Sequence, residues 1–231
     1  MWAGWMYNGT IPGPFLRVTQ GDTVHVTLDN SAAKHPHSIH FHSVHPGNMD
    51  GVFQIIPAGG KGTYTFTAEP FGVFPYHCHI APFDQHVARG LYGTLIIDPP
   101  TPRPPANEMV MLLSGYDLTF AAGNDIYAVN GIPGYYQDHP IPLKIGQLNR
   151  VYIVNMTEHD ELNSFHLHGN MYNYIPMGTS LKPSIITDTV HLGIADRGIA
   201  EFTYKFPGQY LFHAHQTELS MKGWSGIFSV S

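Results

Sequence analysis

His40-Phe41-His42 returns later in the chain as His166-Leu167-His168, and His77-Cys78-His79 returns as His213-Ala214-His215. Two more stretches repeat around them. Asn8-Gly9-Thr10-Ile11-Pro12-Gly13 comes back as Asn130-Gly131-Ile132-Pro133-Gly134, and Gly90-Leu91-Tyr92-Gly93 as Gly223-Trp224-Ser225-Gly226. The order is the same in both halves, and the offsets stay within a few residues of roughly 130, the mark of a duplicated structural unit. The 231 residues therefore divide into two homologous domains, near 1–98 and 107–231. Residues 99–106 join them, and their run Pro99-Pro100-Thr101-Pro102-Arg103-Pro104-Pro105 is a semi-rigid linker.

Each half reads as short strands. Thr23-Val24-His25-Val26-Thr27-Leu28, Thr63-Tyr64-Thr65-Phe66-Thr67 and Thr94-Leu95-Ile96-Ile97 are β-branched, aromatic or alternating. In the second half Arg150-Val151-Tyr152-Ile153-Val154 and Glu201-Phe202-Thr203-Tyr204-Lys205-Phe206 match them. Gly and Pro clusters punctuate at short intervals, and no stretch keeps a helical period over three turns. The expected fold class is all-β: two tandem Greek-key sandwich or barrel domains.

Composition narrows the function. Charged residues are 12% of the chain, about half the roughly 25% usual in soluble domains. Apolar residues are 43%, enough for a core, and the net charge of −6 argues against a nucleic-acid partner. The longest apolar run, Met109–Leu113, is too short to span a membrane. One Cys excludes an intrachain disulfide. The start, Met1-Trp2-Ala3-Gly4-Trp5, has neither a basic nor an apolar leader region and does not read as a signal peptide. The anomaly is 16 His against 11 Lys plus Arg.

Residues i and i+2 of a strand face the same side. The pairs His40/His42, His77/His79, His166/His168 and His213/His215 each present two imidazoles to one side, and imidazole suits copper, zinc, iron and nickel. Cys78, between His77 and His79, points the opposite way. So does His37, three residues before His40, and His86 follows eight residues after Cys78. Two His and one Cys converging inside a barrel make a trigonal blue-copper site. The weak axial position falls at Leu91, which does not coordinate, and this predicts a reduction potential above that of Met-ligated centres. The second half has Asn163, Ala214, Leu219 and Trp224 where the first has His37, Cys78, His86 and Leu91. It keeps all four outward His.

These segments resemble the multicopper oxidases, specifically the two-domain, laccase-like members of type C, within the cupredoxin superfamily. His37-x-x-His40-x-His42 is similar to the family's H-x-x-H-x-H segment, and His77-Cys78-His79-Ile80 to its H-C-H-I segment. The resemblance implies a type 1 copper on His37, Cys78 and His86. It also implies a trinuclear cluster, with type 2 copper on His40 and His166. The type 3 pair would take His42, His77, His79, His168, His213 and His215. Four coppers per chain follow. The implied activity is one-electron oxidation of a small reducing substrate (a phenol, an aromatic amine, a metal ion or a small nitrogen compound), coupled to four-electron reduction of O2 to water. The family geometry sets domain one of a chain against domain two of its neighbour, so the expected assembly is a homotrimer. Asp50, Asp84, Asp188 and Glu218 lie near the ligand segments and are the candidates for proton relay. His35 and His45 flank the first segment and are candidates for shaping substrate approach. By family habit the protein is periplasmic or extracellular, with a leader removed.

Two alternatives stay open. A copper nitrite reductase is also a two-domain trimer with type 1 copper in domain one, but it carries Asp where this chain has His40 and a non-ligand where this chain has His79. A copper-storing or electron-carrying protein would need the inner site alone. Metal analysis of the copper-loaded protein separates them: four coppers per chain for the oxidase, two for the reductase, one for the carrier.

Overall fold

The computed structural model describes residues 2–231. They form two compact units, one of Ala3–Pro102 and one of Arg103–Ser231 that also takes in Trp2.

The first unit contains β1 (Leu16–Thr19), β2 (Thr23–Asp29), β3 (His40–Phe41), β4 (Lys61–Thr67), β5 (Gly72–His77) and β6 (Tyr92–Asp98), with a short helix α1 (Phe83–Ala88) between β5 and β6. One sheet has the order β1-β6-β5-β3, and β2 pairs antiparallel with β4. Strand β4 alternates, turning Tyr64 and Phe66 inward, whereas β5 is buried on both faces. Phe41, Tyr64, Phe66, Phe74 and Leu95 form the core together with Cys78.

The second unit contains β7 (Asn107–Tyr116), β8 (Ile126–Val129), α2 (Tyr135–Asp138), β9 (Ile141–Leu143), β10 (Asn149–Met156), β11 (Leu162–Leu167), β12 (Tyr172–Pro176), β13 (Ile185–Thr187), β14 (Thr189–Gly193), β15 (Arg197–Phe202), β16 (Gly208–His213), α3 (Thr217–Met221) and β17 (Ser225–Val230). Its sheets have the orders β13-β12-β15-β10-β7-β8 and β14-β11-β16-β17-β9. Phe165, Phe212, Trp224 and Phe228 fill its core.

The repeated motifs have local physical causes. Asn8-Gly9 and Asn130-Gly131 both adopt positive φ, and each pair turns a tight hairpin bridged by Tyr7–Thr10 or Val129–Ile132. Asn-Gly is the dipeptide that accepts two successive positive φ values. Gly93 lies opposite Tyr76, and Gly226 opposite Phe212. A Cβ at Gly93 would sit 2.3 Å from the Tyr76 hydroxyl, and one at Gly226 would sit 2.3 Å from the Phe212 ring. The ring therefore lies across the glycine in both units.

One expectation differs from the structure. The strand expected over 201–206 is β15, which ends at Phe202. Beyond it the chain leaves the sheet: the Thr203 carbonyl accepts from Asn170, and the Tyr204 carbonyl from the Gly146 N–H. The helices α1 and α3 are one to two turns long, too short for a period to register in sequence.

A buried ion cluster pins the six-stranded sheet. Arg150 on β10 is only 2% exposed and pairs with Glu108 on β7 at 2.9 Å and Glu201 on β15 at 2.6 Å. Both acids lie directly across from it in register. Removing the arginine strands both carboxylates whichever residue replaces it, so Arg150→Ala and Arg150→Met are each expected to cost about 3 kcal/mol or more. Denaturant unfolding followed by circular dichroism checks this; a large loss in the Ala variant alone would refute the charge argument in favour of packing.

Candidate metal centre

Strand pairing assembles the histidines. In the first unit His40 on β3 lies opposite His77 on β5, and in the second His166 on β11 lies opposite His213 on β16. The second His of each pair falls just past its strand end. One further backbone bond holds the direction: His42 N–H donates to the Pro75 carbonyl and His168 N–H to the Leu211 carbonyl. The ring centroids of His40 and His42 are 5.0 Å apart, and those of His166 and His168 also 5.0 Å. His79 packs against His40 at 5.2 Å, and His215 against His166 at 5.1 Å. The structure thus makes two four-histidine patches, one per unit.

Proton placement follows from the carbonyls. His77 Nδ1 is 2.9 Å from the Cys78 carbonyl, His213 Nδ1 is 2.6 Å from the Ala214 carbonyl, and His166 Nδ1 is 2.9 Å from the Asp188 carbonyl. A carbonyl only accepts, so each Nδ1 carries the proton and each neutral ring keeps a lone pair on Nε2. This is how metal-binding imidazoles are oriented. The Nε2 atoms of His42 and His77 are 3.0 Å apart, as are those of His168 and His213. Burial keeps the rings neutral. His77 is pushed down to about 4, chiefly by burial, and His168 and His213 are lowered for the same first reason. His40 is lowered by burial, with Asp50 opposing.

Behind the first patch, Cys78 is fully buried. Its Sγ lies 3.2 Å from His86 Nδ1 and 3.9 Å from His37 Nδ1. Helix α1 brings His86 across the eight-residue gap, and a two-residue bridge between His37 and Ile56 fixes the other imidazole. The Ser38 N–H donates to the sulfur at 3.4 Å, and the Ser38 hydroxyl accepts from the His79 N–H. Burial pushes the thiol up and these donors pull it down. Burial first, then His86 and His35, lowers His37 to about 4. Leu91 is buried beside the site, and its carbonyl accepts from the Cys78 N–H. The nitrogen and sulfur atoms of His37, Cys78 and His86 all lie within 4.8 Å of one another, as do ring nitrogens of His40, His42 and His77, and of His166, His168 and His213. Two nitrogens with a sulfur, and sets of three nitrogens, are donor sets that copper accepts.

The multicopper oxidase profiles match residues 2–102 and 101–231. The chain belongs to the multicopper oxidase family. A solved multicopper oxidase superposes with a TM-score of 0.96 at 46% identity, covering 99% of this chain and 81% of that one. The copper-containing nitrite reductase of Neisseria meningitidis serogroup A is 27% identical over 91% of this chain and 59% of its own length. The laccase of Cryphonectria parasitica is 28% identical over 83% of this chain and 36% of its own length. The chain thus spans less than two thirds of the length of these curated relatives. No helix among its described residues is long and apolar enough to cross a membrane.

In the second unit the inner positions hold a different interior. Asn163, Ala214, Leu219 and Trp224 are all buried, and the Trp224 indole donates to Asn163 Oδ1 at 2.8 Å. Asn163 in turn donates to Thr157 Oγ1 at 3.0 Å.

The four acids separate. Asp50 Oδ1 is 3.0 Å from His40 Nδ1, and His45 Nε2 is 3.2 Å from the same nitrogen. Asp188 meets His166 through its backbone carbonyl. Glu218 on α3 is 68% exposed and pairs with Lys222, the residue that caps the helix. Asp84 sits in the first turn of α1, two residues before His86. His35 stacks on Trp5, a residue the sequence reading passed over because its contacts are all remote in sequence or lie at odd spacing.

His37 and His77 titrate near 4 in the folded chain against 6.5 for a free imidazole. Between those values the unfolded chain takes up protons that the folded one refuses. The metal-free protein is therefore expected to lose stability as pH falls from about 6.5 to about 4. Thermal melts across that range check this, and a flat Tm would count against it.

Proposed function

We propose that this protein is a laccase-like oxidase: it takes single electrons from a small reducing substrate and uses four of them to reduce O2 to water. The observation that carries the reading is the arrangement around one dipeptide step. Cys78 belongs to the inner donor set, while its chain neighbours His77 and His79 belong to the four-histidine patch. His37, Cys78 and His86 would hold a type 1 copper. His40 and His166 would hold type 2 copper, and His42, His77, His79, His168, His213 and His215 the type 3 pair. Together these four coppers per chain would supply the four one-electron equivalents that O2 needs.

The residues themselves do the rest. Peptide bonds from Cys78 to His77 and His79 give the shortest covalent path between the two donor sets. The Ser38 N–H on the sulfur and the carbonyls on Nδ1 orient the donors before metal arrives, and such partners govern metal affinity. Asp50 is the acid best placed to hold a proton beside His40, through the contact at 3.0 Å. Asp84, Asp188 and Glu218 are weaker candidates for that role, given their contacts.

Each unit supplies four histidines, so we place the complete cluster between unit one of one chain and unit two of a neighbour, in a homotrimer. Light scattering of the copper-loaded protein would then give three times 25.6 kDa. The periplasm or the cell exterior suits copper loading and O2 chemistry.

The test is oxygen uptake with a phenolic or aromatic-amine donor, run beside anaerobic nitrite reduction. Uptake is expected in the native chain. Cys78→Ser should lower it at least about 100-fold, as loss of a positioned redox ligand does. His79→Ala should abolish uptake while leaving the visible band of the Cys78 centre. Nitrite turnover without oxygen uptake would favour the reductase reading, which the Neisseria relative supports.

A further inference from the structure

We propose that Trp5 is the group through which the Cys78 centre takes up electrons, the indole being what an aromatic donor meets. This deepens the reading above and rests on it. An outer-sphere donor needs only to approach an edge of a ligating imidazole such as His37 or His86. In the structure those rings are 8% and 6% exposed, and Trp5 lies on both. Its ring centroid is 4.7 Å from that of His86 and 5.1 Å from that of His37, with steep interplanar angles of 76° and 74°. Trp5 itself is half-buried, so it is more accessible than either imidazole.

Several contacts hold the indole there. The Trp5 backbone N–H donates to the Arg89 carbonyl at 2.7 Å. The Arg89 guanidinium donates to the Ala3 carbonyl and lies 4.9 Å from the Trp5 ring centre, a cation–π contact. Arg89 caps α1, the helix that carries His86. Indole and imidazole are thus tied to one short element and keep their spacing together. His35, exposed at the surface, stacks on Trp5 at 5.3 Å and 28°. Trp5 also lines a cleft of about 520 Å³ with Tyr7, Val26, Leu28, His37 and Leu91. That size and that largely apolar lining fit a donor of one aromatic ring.

The step balances simply. A hydroquinone or similar phenol gives up one electron and its hydroxyl proton, becoming a phenoxyl radical. The electron would pass to the Cu(II) that His37, Cys78 and His86 would hold, giving Cu(I), and the proton would pass to water. Trp5 is the same before and after, because it shortens the gap across which the electron moves. O2 remains the final oxidant.

The test uses the copper-loaded full chain with Trp5→Leu and Trp5→Phe. Hydroquinone reduces the oxidised protein without oxygen, and the bleaching of its visible band gives the rate. Trp5→Leu is expected to slow this about ten-fold or more, as loss of a positioning contact does, and Trp5→Phe less. The band position and midpoint potential should stay those of the native chain in both. A second readout is copper quenching of indole fluorescence, which the two variants should largely lose. An unchanged or faster rate with band and potential intact would overturn the proposal, since the donor would then reach His37 or His86 directly. Loss of the visible band in both variants would also overturn it and make Trp5 structural. A native chain that shows no such band would sink the proposed function itself, and this inference with it.

Discussion

Everything at the site depends on the register of two short strand pairs. His40 faces His77 across β3 and β5, and His166 faces His213 across β11 and β16. A slip of one residue would turn each imidazole to the opposite face. Because strand side chains alternate, the same register sends Cys78 into the core as it sends His77 and His79 out of it. One backbone alignment therefore positions two donor sets at once and fixes their separation at a single residue. The buried aromatics beneath, Phe41 and Tyr76 in one unit and Phe165 and Phe212 in the other, hold that alignment by packing.

Much of this was legible in the residues. The all-β class, the duplication and the pairing of donors follow from spacing, because a strand's period of two is short enough to read over three residues. The strand expected over 150–154 lies within β10, whose eight residues are all buried. Where reading failed, the cause was tertiary. The segment 203–206 alternates like a strand, yet Asn170 and Gly146 take its carbonyls and draw it out of the sheet. The five-residue α3 is too brief to carry a pattern. The roles of Asp50 and Asp188 differ by whether side chain or carbonyl reaches the imidazole, which composition near a motif does not encode. Trp5 reaches His37 and His86 only through the fold.

The two units also divide the electrostatic labour. In the first, burial depresses His37 and His77 while backbone donors converge on a sulfur. That environment favours neutral imidazoles and tempers the cost of a thiolate. In the second, the inner space carries no titratable group at the matching positions, and neutral amide and indole hydrogen bonds satisfy one another.

That exchange behaves as a ratchet. Trp224 fills the volume that a metal and its imidazoles would need, and Asn163 is committed to the indole on one side and to Thr157 on the other. Restoring a cysteine at position 214 alone would set a thiol against a full, hydrogen-bonded interior. The packing of the second unit thus closes it to a donor set like that of the first.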